Sequence, residues 1–212
     1  MSTQEKLAAE LSILYPDIIT RIEDKISKVI EVMGATSFES LFKDISVSQR
    51  TQTCTKFFQY FSSLSIEEIC KENGIPLEAV DETGYDWRYE GLLVEQKIKT
   101  MLVNFETYSR YNVKKYGVVN TYWTGNKHSV SNNKKTDSHL LLVFAIDGNT
   151  IKSSMATIIS LEETGSKWKT GSGTDDSYSK LSINVHDTGS NLIYGGYYSI
   201  NKSFYGLLQE VY

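Results

Sequence analysis

The spacing of the apolar residues changes partway along this chain, and that change limits the architectures open to it. Ile18, Ile19, Ile22, Ile26, Val29, Ile30 and Met33 recur at three- and four-residue intervals, and Gly34 follows. That pattern predicts a helix with one apolar face and a glycine stop, with Asp17, just after Pro16, as its cap. A second helix is predicted over residues 48–63, where Phe57, Phe58, Tyr60 and Phe61 give a bulky apolar face. Ser65-Ile66-Glu67-Glu68 then has the form of a capping box that opens a short helix ending at Gly74. From Gly117 onward the residues are β-branched and aromatic in short runs, at 118–123, 140–146, 151–159, 180–185 and 192–200. Clusters of Gly, Asn, Asp and Ser separate these runs, which therefore read as strands, with Asp147-Gly148-Asn149 as a tight hairpin turn. Helices first and strands later make an α+β chain without internal repeats.

At 212 residues the chain suits one continuous domain. Within it, residues 1–80 form a helical N-terminal region and residues 81–212 the rest of the core. No run approaches the ~20 apolar residues of a membrane-spanning helix. Residues 1–10 are polar and lack the apolar stretch of a signal peptide. Cys54 and Cys70 have no histidine nearby to complete a zinc signature and no spacing that implies a disulfide framework. A cytoplasmic setting with buried thiols is the expectation.

The chemistry is concentrated in Gly84-Tyr85-Asp86-Trp87-Arg88-Tyr89-Glu90-Gly91-Leu92-Leu93-Val94-Glu95-Gln96-Lys97-Ile98-Lys99. In a strand the side chains alternate, so Leu93, Glu95, Lys97 and Lys99 share one face while Leu92, Val94, Gln96 and Ile98 share the other. Asp86, on a preceding turn or strand, can fold back to meet Glu95. Two converging carboxylates suit a hard divalent cation such as Mg2+, which keeps several waters and takes further oxygens from a phosphate. Lys97, one pleat from Glu95, would stand where charge builds during attack on a phosphodiester. A Glu-x-Lys pair also arises by chance in a charged chain, and on an edge strand it marks a solvated face.

These residues resemble the PD-(D/E)xK nuclease superfamily, in which an aspartate and a Glu-x-Lys on the following strand form the catalytic centre; Tyr85 replaces the proline of that motif. The order and spacing of residues 84–159 are similar to the PvuII-type branch of the type II restriction endonucleases. The resemblance implies a restriction endonuclease-like core, a mixed, strongly twisted sheet with flanking helices and the Glu-x-Lys strand crossing its centre. A helix over residues 100–115 would follow that strand. It implies Asp86, Glu95 and Lys97 as catalytic residues, Asp86 and Glu95 as metal ligands, Mg2+ as cofactor with no small-molecule cofactor, and site-specific cleavage of double-stranded DNA. Cutting both strands of a palindrome needs two sites related by a two-fold axis, so a homodimer is expected, with the N-terminal helices as its contact.

The charge distribution is compatible with a DNA partner although the net charge is −4. Residues 1–106 hold 18 acidic and 11 basic side chains, while residues 107–212 hold 8 and 11. Arg110, Lys114, Lys115, Lys127, Lys134 and Lys135 fall in a stretch, 107–136, that has no acid and is interleaved with Tyr and Trp. Such a stretch can follow a phosphate backbone, or be a solvated strand and loop. Asn126, Lys127, His128, Asn132, Asn133, Lys134 and Lys135 form a polar loop with the donors and acceptors that read base edges and phosphates. Residues 170–179, rich in glycine and serine, are the other polar excursion long enough to reach a groove.

Three other readings compete, and in one the chain is a non-catalytic interaction protein of α+β type with Asp86, Glu95 and Lys97 merely a surface ion cluster. Residues 65–80 resemble the start of a helix-turn-helix motif, which would make the chain a DNA-binding regulator, although the second helix would be acidic. Repair and junction nucleases share the same catalytic centre, and would differ by cutting branched rather than sequence-marked DNA.

Overall fold

In the computed structural model, residues 1–42, 44–82, 85–102, 122–126, 137–147, 150–160, 169–170, 180–184 and 192–194 are described. Helix α1 spans Thr3–Val32, a single 3-10 turn spans Glu39–Phe42, and helix α2 spans Val47–Glu72. Strands β1 (Leu77–Glu82), β2 (Tyr85–Tyr89), β3 (Leu92–Leu102), β4 (Tyr122–Asn126), β5 (Ser138–Asp147), β6 (Thr150–Ser160), β7 (Lys169–Thr170), β8 (Lys180–Asn184) and β9 (Leu192–Tyr194) follow. The α+β class expected from the sequence is therefore observed.

Helix α1 begins well before the expected cap at Asp17. Ser2 is the N-cap: its Oγ accepts the Glu5 N–H at 3.2 Å, and the Glu5 carboxylate accepts the Ser2 N–H at 2.6 Å. Pro16 lies inside the helix. A proline in a helix interior costs ~3 kcal/mol. Against that, Leu7, Leu11 and Leu14 continue the buried stripe of Ile18, Ile22, Ile26 and Ile30, and each such side chain contributes ~1.5–3 kcal/mol on burial. The stripe outweighs the proline, so the helix runs through it. It ends at Gly34, whose φ of 62° is the left-handed conformation that glycine adopts without a Cβ clash.

Helix α2 departs from the expected pair of helices in the same way. Its N-cap is Ser46, in a capping box with Gln49, and no break occurs at Ser65, which is buried inside it. Glu68, which would complete a box at Ser65, instead accepts from Lys25 Nζ at 2.9 Å and Arg21 at 3.3 Å on α1. Beyond α2, residues 77–82 form strand β1 rather than a second helix, so the second element of a helix-turn-helix is not there.

Strands β1, β2 and β3 make an antiparallel meander, β5 lies parallel to β3, and β6 and β9 continue antiparallel, giving a six-stranded mixed sheet in the order β1-β2-β3-β5-β6-β9. Strands β4, β8 and β7 form a separate three-stranded sheet, with β4 beside β3. The expected hairpin of β5 and β6 is present and paired to its end at Asp147 and Thr150; Gly148 and Asn149 lie outside the described residues. The strand expected over 118–123 is observed from Tyr122 onward, and those over 180–185 and 192–200 as β8 and β9; the rest of these ranges lies outside the description. Residues 100–102 belong to β3 rather than to a helix, and residues 103–115 are not described.

Both helices cover one face of the large sheet. Trp87, Tyr89, Val94, Leu140, Leu142, Phe144, Ala156 and Ile158 join the α1 stripe and the Phe38, Phe58 and Phe61 cluster in one core. The Phe58 and Phe144 rings pack with centroids 5.4 Å apart. Polar pairs also lie in this layer: the Tyr15 and Ser154 hydroxyls are 2.8 Å apart, and Ser138 Oγ donates to Gln4 Oε1 at 2.5 Å. Because side chains alternate, the opposite face of β2, β3 and β5 carries Asp86, Arg88, Glu95, Lys97, His139 and Leu141.

Candidate active site

The turn between β2 and β3 sets which residues meet on that second face. Glu90 and Gly91 have φ of 46° and 88°, and Tyr89 pairs with Leu92 on either side of them. Two consecutive residues at positive φ are the signature of a two-residue hairpin whose twist matches that of the strands. The register then runs Tyr89 with Leu92, Arg88 with Leu93 and Trp87 with Val94. Trp87 and Val94 are the last paired rung, and Asp86 and Glu95 are the next residues beyond it on the two strands. A slip of one residue would turn one of the two carboxylates toward the helices.

The two acids do meet electrostatically. Burial pushes the Asp86 carboxyl above its usual range, the N–H of Gln96 opposes that rise, the Glu95 carboxylate adds to it and Lys97 opposes it. Asp86 Oδ2 accepts the Gln96 backbone N–H at 2.6 Å. Lys97 Nζ pairs with Glu95 Oε1. Glu95 keeps 13% of its side-chain surface exposed and Lys97 25%, so the pair is recessed. Strand β3 is interior to the sheet, which removes the edge-strand explanation of Glu-x-Lys as a merely solvated pair.

His139 on β5 is the residue that sequence reasoning missed. It is the parallel partner of Glu95, it is buried, and its pKa is lowered to about 3 by that burial and by the Lys97 charge. Its ring is accordingly neutral at physiological pH. Leu141, Thr157 and Ile159 are buried next to it through the β3, β5 and β6 registers. The sequence signal was faint: a lone histidine at the start of an apolar strand, linked to Glu95 only by a parallel pairing that no local pattern encodes. Arg88, exposed two residues from Asp86 on the same face, is a second residue outside the expected set.

The donor set fits a hard divalent ion with a small protein share. Asp86 uses one oxygen for the Gln96 N–H, and the like charge of Glu95 felt by Asp86 is what a cation between them would neutralise. Among the described residues no three His, Cys, Asp or Glu side chains are grouped closely enough to hold a metal by themselves. Oxygens from outside these two side chains would have to complete the coordination of an ion such as Mg2+.

Of the expected DNA-contacting residues, Asn126 lies at the end of β4, paired with Lys180 of β8. Lys127, His128, Asn132, Asn133, Lys134 and Lys135 fall outside the described residues, as do Arg110, Lys114 and Lys115. No described helix is long and apolar enough to cross a membrane. No protein-family model matches the chain, and none of the curated proteins compared with it matches.

Proposed function

We propose that this chain is an Mg2+-dependent endonuclease of double-stranded DNA, with Asp86, Glu95 and Lys97 as its catalytic residues. One observation carries the reading: Asp86 on β2 lies within electrostatic reach of the ion-paired Glu95 and Lys97 on β3, all three on the sheet face opposite the helices by strand alternation. The mixed sheet with an interior Glu-x-Lys strand is compatible with a restriction endonuclease-like fold. Site-specific cutting as a type II restriction enzyme is the finer form of the proposal.

A bound Mg2+ would supply charge neutralisation at the phosphate and a more acidic water. The chain does the rest. Asp86 and Glu95 would hold the ion, and the Gln96 N–H orients the Asp86 carboxylate through Oδ2. Lys97, paired with Glu95 in the free protein, presents its ammonium to the scissile phosphate, where it stabilises the charge that develops on the phosphoryl oxygens. Leu141, Ile159 and the neutral His139 make a dry floor, which strengthens each of these interactions. Strand β4, beside β3, ends at Asn126, the first of the residues proposed to read bases.

The apolar stripe of α1 is buried against the sheet, so a homodimer made through the N-terminal helices would use their outer surfaces. The regulator reading loses support because Leu77–Glu82 is a strand. The test is digestion of a sequenced plasmid with Mg2+, followed by end mapping, alongside a branched-DNA substrate. Discrete ends at one sequence support a restriction enzyme, and cutting confined to branched DNA moves the chain to the junction nucleases. Intact DNA in both, with Mg2+ or Mn2+, overturns the nuclease reading.

A further inference from the structure

Gln96 occupies the middle position of Glu-x-Lys and joins the two faces of the sheet. On the side facing Asp86, its backbone N–H donates to Asp86 Oδ2 at 2.6 Å. On the helix side its carboxamide is held from three directions. Trp87 Nε1–H donates to Gln96 Oε1 at 3.0 Å, and Gln96 Nε2 donates to Ser63 Oγ at 3.1 Å and Ser62 Oγ at 3.4 Å. The Ser62 hydroxyl in turn donates to the α2 backbone at Phe58 O, 2.5 Å away, which leaves its lone pairs free for Gln96. The amide is only 2% exposed.

Stability alone does not explain such a residue. A buried hydrogen bond contributes only ~1 kcal/mol net, and a methionine or leucine of similar volume would fill the space without needing partners. The three bonds do fix one thing an apolar side chain would leave loose, the rotation and height of the Gln96 peptide within β3. That peptide carries the N–H on which Asp86 is seated. Trp87, adjacent to Asp86 in β2, is tied to the same carboxamide, so both strands are braced at the level of the acids.

We infer that Gln96 is a positioning residue for the candidate site, transmitting the placement of helix α2 through its side chain to the carboxylate of Asp86. The inference rests on the nuclease reading only for its kinetic consequence; the bracing itself is a statement about the folded chain. A displacement of ~1 Å at a reacting group can lower a rate by ~10²-fold.

Gln96→Met keeps the backbone N–H and the volume and removes the bracing. Thr100→Val is the control, because it breaks another bond between the same helix and strand, the 2.6 Å contact of Thr55 with Thr100, without touching Gln96. Two readouts are taken on the full chain: kcat and KM on cleaved DNA with Mg2+, and exchange of the residue-96 amide by NMR. The expected result for Gln96→Met is a kcat lower by ~10²-fold with KM within about threefold. Its residue-96 amide should exchange at least ~10-fold faster than the change in global stability accounts for. Thr100→Val should lose comparable stability and show neither effect. Equal kcat and equal amide protection in Gln96→Met and Thr100→Val overturn the inference. If Gln96→Met does not fold, the Ser62→Ala, Ser63→Ala double variant, which removes the anchors from the helix side, is read by the same two measurements. If the wild type cuts no DNA, the nuclease reading fails on its own, and the amide exchange still decides the bracing.

Discussion

His139 stands directly across the parallel ladder from Glu95, buried and uncharged, so an acid that faces the site has a neutral ring rather than a cation as its neighbour on β5. Keeping that ring neutral links folding to pH. The His139 pKa falls from 6.5 to about 3 on folding, so the native state binds fewer protons than the unfolded chain between these values. Its stabilising contribution is complete above pH 6.5 and is lost as the pH drops toward 3, by ~5 kcal/mol in all. Urea denaturation between pH 7 and 5 should show stability falling by ~2 kcal/mol in the wild type, and less in His139→Gln, which cannot titrate. Parallel pH profiles for the two proteins would refute the assignment.

Asp86 has the opposite sign. Its carboxyl is raised, chiefly by burial, so its ionised form destabilises the native state above that raised value, and the penalty fades as the pH falls through it. Asp86→Asn retains an acceptor for the Gln96 N–H and removes the charge. The variant should melt at a higher temperature than the wild type in EDTA, and Mg2+ should stabilise the wild type but not the variant. A lower melting temperature in EDTA, or equal Mg2+ stabilisation of both, would count against Asp86 as a ligand.

If the proposed assignment of Asp86, Glu95 and Lys97 holds, loss of any one of them should separate chemistry from affinity. Glu95→Ala and Lys97→Ala are each expected to reduce cleavage by at least ~10²–10³-fold, while DNA binding, measured in Ca2+ by fluorescence anisotropy, stays within a few-fold. Near wild-type turnover in either variant means that the centre lies elsewhere.

The β2–β3 turn offers a test of the register. Gly91 at φ 88° has open space where a Cβ would be, so Gly91→Ala should cost ~1–2 kcal/mol from backbone strain alone. Glu90, at φ 46°, is a non-glycine in the same region, and Glu90→Gly removes the strain at the expense of the Lys6 ion pair. An exposed pair of that kind contributes ~0–1 kcal/mol, so the Glu90 change should be close to neutral. Thermal unfolding of both variants checks the contrast, and equal losses would contradict the turn assignment.

The polar loop is tested by specificity. Asn132→Ala and Asn133→Ala, if they touch bases, should cost ~1–3 kcal/mol on the cognate site and little on random DNA. Lys134→Ala and Lys135→Ala should weaken both alike and flatten the salt dependence by about one unit per lost contact. Uniform behaviour of all four would limit the loop to the phosphate backbone.

How far the sequence could be read depended on whether the deciding interaction was local. The alternation of Leu92 to Ile98 placed Glu95 and Lys97 on one face and Val94 and Gln96 on the other, as the core contacts of Val94 and the helix-side bonds of Gln96 bear out. Local rules misled where tertiary burial was stronger. Pro16 reads as a helix start but sits inside α1, and Ser65 reads as a cap although Glu68 is drawn to Arg21 and Lys25. Pro76 to Glu82 carries no strand signature, and β1 exists because β2 offers it a ladder. Glu90-Gly91, the turn between β2 and β3, is hard to read from local pattern because Glu is an unusual first residue for it. His139 joins Glu95 through a long-range parallel register, which no spacing rule could reveal.

The hairpin also has a consequence in time. Asp86 and Glu95 belong to consecutive strands joined by two residues, and such hairpins form in ~1–10 μs. His139 arrives on β5 only after the whole intervening segment closes into a parallel pairing, a slow class of contact. Asp86 and Glu95 should therefore approach first in water, where their repulsion is weak, before His139 of β5 takes its place across from Glu95. Pulsed hydrogen exchange during refolding should show the β2–β3 amides protected before those of β5. The order matters because Glu95 loses its water on the β5 side only at the last step, when the neutral His139 arrives beside it.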